Sequence, residues 1–194
     1  FKAINRSELD SEVAIYMEDL LLPIHARNYS GKEYNNMMTN IRKCIELIFT
    51  SMAEKGLLPN KKNNGKYVFH DILVDNKGGI NTTWCSLILS GKEVKVGDKI
   101  RIESTNILPN VLKDSFQRLK EISAAYEHTV NKNANEQQQK NSRQTPEFLE
   151  SLGNPPYLLQ SMTLELCNII LWYANYLEEH DDEELNALNW NIIQ

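Results

Sequence analysis

Between Ser30 and Gly56 the apolar residues recur at alternating steps of three and four. Tyr34, Met37, Met38, Ile41, Ile45, Ile48, Phe49 and Met52 fall on one side of a 3.6-residue period. Ser30-Gly31-Lys32-Glu33 reads as a capping box, in which Ser30 accepts from the amide three residues on and Glu33 reaches back. Gly56 supplies a left-handed stop, and Pro59 lies just beyond it. The segment predicts a helix of about six or seven turns. An isolated helix of this kind is marginal in water, so it must bury its apolar face against other elements.

The rest of the chain offers those elements. Val13, Tyr16, Met17, Leu20 and Leu21 predict a first helix over about Ser7 to Leu22, kinked or ended by Pro23. Another helix begins near Pro109, with Leu112, Phe116, Leu119, Ile122 and Tyr126 on its apolar face, and ends near His128. Thr145-Pro146-Glu147 predicts a short helix stopping at Gly153. The last long helix runs from Pro156 to Glu179 and is apolar around most of its circumference, which predicts a central position or a face toward a partner. With 41% hydrophobic residues the chain has enough apolar surface for a core.

The middle, 60–105, predicts a loop and hairpin insertion. Lys61 to Lys66 reads as a solvated loop, and Tyr67 to Val74 as either a short helix or a strand. Val94-Lys95-Val96 and Lys99 to Glu103 alternate about Gly97-Asp98 and predict a small β-hairpin. Residues 131–144 form a flexible polar loop with too little apolar area to offset chain entropy. The tail 181–194 opens on an acidic run and predicts a short docking helix. The whole reads as a single, mainly α domain over 1–194.

Composition narrows the function classes. A net charge of −5 and a pI of about 5.5 argue against a dedicated duplex-DNA binder. No run approaches the apolar length that spans a bilayer, so no membrane role is expected. Phe1 to Arg6 lacks the apolar region of a secretory signal, and the absence of an initiator Met implies an upstream start or processing. Cys44, Cys85 and Cys167 are odd in number and widely separated, which predicts free, buried thiols in a reducing, cytoplasmic compartment and no zinc site. Phosphate-loop, dinucleotide, zinc-protease and nucleophile-elbow motifs are all missing, so no cofactor and no metal are expected.

The candidate chemistry falls on the histidines. His25 reads as a cation at a helix C-terminus, His70 as a packed or capping imidazole, and His180 as a solvent-facing member of the acidic run. His128, at the end of its helix, is the candidate acid or base for phosphodiester cleavage, with Arg118 and Lys120 as phosphate-binding cations. Closing its own helix is the competing role for His128. Ile169, Leu171, Trp172, Tyr173 and Tyr176 are the candidate interface, because interfaces enrich aromatics. Lys61, Lys62, Lys66, Lys77, Lys92, Lys95, Lys99 and Arg101 are a candidate set for binding nucleic acid, RNA included, or a nucleotide without cleavage, or equally a solvated face.

Three stretches together resemble HEPN-like helical domains: Ile41 to Phe49 running into Gly56-Leu57-Leu58-Pro59, Ser123 to His128, and Leu164 to Tyr173. The resemblance covers about two-thirds of the chain. It implies an up-and-down helical bundle that often dimerises, acting either as a metal-independent ribonuclease or as a non-catalytic binding module. Catalytic members carry Arg, four to six residues, then His. Here nine residues separate Arg118 from His128, about 15 Å along a helix, and Lys120 lacks the guanidinium fork. The expectation is therefore a non-catalytic interaction module that binds a protein partner or its own copy, with a HEPN-like endoribonuclease as the alternative.

Overall fold

A computed structural model describes residues 11–27, 31–74, 78–128, 156–181, 184–185 and 189–193, except the side chains of Ser11, Gly31, Lys32 and 124–128. Ser30 of the capping box, the polar segment 131–144 and the short helix expected to stop at Gly153 lie outside the described residues. The described fold is mainly α, with two small antiparallel sheets. Its helices are α1 (Ser11–Ala26), α2 (Gly31–Glu54), α3 (Thr82–Leu89), α4 (Asn110–His128) and α5 (Pro156–Glu179). Strands β1 (Asn60–Asn63) and β2 (Lys66–Phe69) form one sheet; β3 (Val94–Val96), β4 (Ile100–Ser104) and β5 (Trp190–Ile193) form the other.

α2 is the element everything else is built on, touching α1, α3, α4, α5 and β2. All eight residues of its apolar rhythm are buried, as is Cys44 between them. Phe49 stacks on Phe116 of α4 with ring centres 4.7 Å apart. Ser51 and Tyr173 of α5 join hydroxyls at 3.0 Å inside the core, so these two buried polar groups satisfy each other. Of the two positions expected for the last helix, central or facing a partner, the central one does not hold: α5 packs against α4, α2 and α1 and leaves an outer face open to solvent.

Pro23 neither ends nor blocks α1, which continues to Ala26 before Arg27 takes a left-handed φ of 53°. α2 closes as the sequence predicts. Gly56 has φ 85°. Its amide donates to Ala53 O at 3.1 Å and that of Leu57 to Met52 O at 2.9 Å, the paired bonds of a Schellman ending.

The insertion is more ordered than its sequence suggests. Lys61 to Lys66 is a hairpin, not a loop: β1 pairs with β2, and Asn63 lies opposite Lys66 across a two-residue turn. Asn64 (φ 49°) and Gly65 (φ 83°) both adopt positive φ, the combination a type I′ turn needs and that Asn-Gly supplies. The helix-or-strand choice over Tyr67 to Val74 resolves into both, strand β2 followed by a 3₁₀ turn at Asp71–Leu73. α3 has its first turn capped by Asn81, whose Oδ1 accepts from the Trp84 amide at 3.1 Å. It buries Cys85, Ile88 and Leu89, so this part of the insertion belongs to the core.

Of the tail, Glu184 and Leu185 are helical with Leu185 buried in the core, whereas Trp190–Ile193 form a strand where a docking helix was expected. β5 pairs antiparallel with β4, with Ile192 opposite Ile102 and Trp190 opposite Ser104. A helix of four residues would not repay its nucleation, whereas β-branched Ile192 and Ile193 suit an open edge of the β3–β4 hairpin. Trp190 fastens the arrangement by donating its indole N–H to Gly56 O at 2.9 Å, which ties the tail to the end of α2.

Candidate functional site

α4 carries the three residues nominated for phosphodiester chemistry. Arg118 is committed to α5: its guanidinium pairs with Glu165 and donates to Ser161 Oγ at 3.2 Å. Lys120 points the other way, since two residues turn a helix by about 200°, and its ammonium donates to the Thr83 hydroxyl of α3. Partial burial holds the Lys120 ammonium below the ordinary lysine range; Glu121 opposes that shift and Arg42 adds to it. His128 is the last residue of α4, and its side chain lies outside the described residues. Ten positions along the helix place its backbone about 15 Å from that of Arg118. Arg118 and Lys120 therefore hold neighbouring helices from different faces of α4 and do not converge on one phosphate.

The other histidines have local roles. His70 Nδ1 accepts from the Ile72 amide at 3.3 Å and caps the 3₁₀ turn. His180, expected to face solvent, is half-buried. It stacks on Tyr176 with ring centres 4.1 Å apart, and its Nδ1 lies 2.9 Å from Tyr176 O. His25 sits in the last turn of α1, where a cation is favoured, beside a shallow groove of about 440 Å³ lined by Glu18, Leu21, Leu22 and Ile24. No group of His, Cys, Asp and Glu among the described residues is arranged to hold a metal ion. Burial pushes the Cys44 thiol up to about 12 and raises those of Cys85 and Cys167, which suits inert packing groups.

The lysine-rich insertion is partly neutralised. Lys61 pairs with Asp71 at 2.5 Å, and this hydrogen bond holds the Asp71 carboxyl below its ordinary value. Lys95 and Arg101, opposite each other on β3 and β4, both reach Glu93 at 3.6 Å. Lys62 lies 5.8 Å over the ring of Tyr67.

The interface set divides on the helix wheel. Ile169 and Tyr173 are fully buried in the core and cannot meet a partner. Trp172 and Tyr176 are half-buried on one flank, their rings 5.7 Å apart. Leu171 is exposed, and it belongs to a row that a count of aromatics does not find. Tyr157 (78% exposed), Leu164 (66%) and Leu171 (49%) lie seven residues apart along the middle of the outer face. That spacing drifts only about 20° per step, so the three form one narrow apolar stripe. Subtracting the buried 3.6-period face of α5 from its sequence would have revealed it. No protein-family model, curated protein or solved structure matches this chain.

Proposed function

We propose that the chain is a non-catalytic interaction module, its long helices arranged as an up-and-down bundle, whose contact surface is the outer face of α5. The stripe Tyr157–Leu164–Leu171 carries this reading. Three large apolar side chains occupy the positions where helix periodicity calls for polar ones, and a row of exposed apolar residues on one helix face favours contact with another surface. Arg118 and Lys120 are held by partners within the chain, which favours binding over phosphoryl chemistry. The proposed HEPN-like kinship is accordingly with the non-catalytic members of that group.

The test is photochemical. p-Benzoylphenylalanine incorporated in place of Leu164 is expected to give protein adducts on irradiation in cells, while the same probe in place of Lys99, on the β3–β4 turn, gives none. No adduct at position 164 would overturn the proposal. Incubation with mixed RNA in EDTA is expected to leave the RNA intact; cleavage abolished by His128→Ala would restore the ribonuclease reading.

A further inference from the structure

The outer face of α5 is self-complementary about its own midpoint. We infer that its occupant is a second copy of this chain, with the two α5 helices antiparallel over their whole length; this rests on the reading of α5 as a contact surface. When Pro156 of each helix is level with Glu179 of the other, the two-fold axis passes between Cys167 and Asn168. Leu164 then faces Leu171 of the second copy, and Tyr157 faces Glu178. Asn175 faces Gln160, and Asn168 meets its own equivalent. Apolar meets apolar, a phenol meets a carboxylate, and amide meets amide from one choice of axis.

The charges favour the same arrangement. α5 has no acidic residue in its first turn and no basic residue in its last, and it ends on the exposed pair Glu178 and Glu179. Acids are unfavourable at the negative end of a helix dipole and favourable at the positive end. Antiparallel pairing places them beside the amino end of the second copy's α5. Parallel pairing would bring four carboxylates together. The seven-residue interval suits the shallow crossing of paired helices, and an amide pair at the axis fixes the register, because sliding one helix would set Asn168 against leucine.

Sedimentation equilibrium of the full chain, from low to high micromolar concentration, is expected to show a monomer–dimer equilibrium. Leu164→Asp enters a two-fold contact twice, so the dissociation constant should rise about a hundredfold or more. Leu164→Gln, milder and equally exposed, should act in the same direction, with an unchanged far-ultraviolet dichroism spectrum for both. Register is read in a Cys167→Ser background under mild oxidation. Asn168→Cys is expected to cross-link to its own copy. Leu164→Cys and Leu171→Cys are not expected to do so singly, because their equivalents stand about 10 Å apart along the axis, whereas the double variant is. A strict monomer at high micromolar concentration overturns the dimer; adducts of position 164 with a different protein would then leave the contact-surface reading intact. Self-cross-linking of Leu164→Cys alone overturns the antiparallel register.

Discussion

Replacing Gly91 by alanine isolates a close approach of two backbones that holds the insertion to the core. Gly91 has φ +66°, and a Cβ placed there would stand 2.8 Å from the amide nitrogen of Asn106 and 3.0 Å from its Cα. The opposing strand cannot yield cheaply. Ser90 and Asn106 are bridged, and the amides of Ile107 and Leu108 both donate to Leu89 O, at 2.9 and 2.8 Å. Gly97 has nearly the same φ, +63°, with nothing within 4 Å of its would-be Cβ, and so serves as the control. Gly97→Ala meets only the left-handed penalty, about 1–2 kcal/mol, partly offset through the unfolded chain. Gly91→Ala adds an overpacking cost of about 1–3 kcal/mol. Urea unfolding followed by tryptophan fluorescence should give losses of about 1 kcal/mol for Gly97→Ala and about 2–4 kcal/mol for Gly91→Ala, with unchanged slopes. Equal losses would refute the reasoning, since the two positions differ in crowding and not in φ.

Three further outcomes follow from the core and its ties. Burial raises the Cys44, Cys85 and Tyr173 pKa values, so the folded state keeps protons that the unfolded chain releases. Stability should therefore fall as pH rises past about 8.5 and more steeply past about 10; thermal unfolding against pH should show both falls, and Tyr173→Phe should lessen the second, with Tyr176, also raised by burial, keeping the remainder. Trp190→Phe deprives Gly56 O of its indole donor and should cost about 1 kcal/mol in urea unfolding; no loss would mean that the tail is not fastened there. Arg118→Met leaves Glu165, one of whose oxygens is already buried without a hydrogen bond, without its cation. It should cost about 1 kcal/mol, recovered in Arg118→Met/Glu165→Leu; a double variant no more stable than the single would count against the pair.

The amphipathic period of 34–52, Gly56 at the helix stop and the bounds of α5 were legible without coordinates, because each is a local decision. So was the β3–β4 hairpin, whose alternation and turn lie within one stretch of chain. The Asn64-Gly65 turn was legible in principle but lay hidden in a run of lysines and asparagines that reads as solvent-exposed loop. Position β5 was not legible: its four residues become a strand only because an unpaired edge of β4 stands beside them and the carbonyl of Gly56 waits for the Trp190 indole.

The candidate sites divide in the same way. Sequence spacing established that Arg118 and His128 stand too far apart along one helix to share a phosphate, a consequence of helix rise alone. Only the packing decided that Arg118 answers Glu165, that Lys120 answers Thr83, and that Ile169 and Tyr173 face inward while Leu164 and Leu171 face out. Periodicity specifies which residues of a helix lie together; which of those faces is buried depends on where the neighbouring helices come to rest, and that is a property of the assembled core.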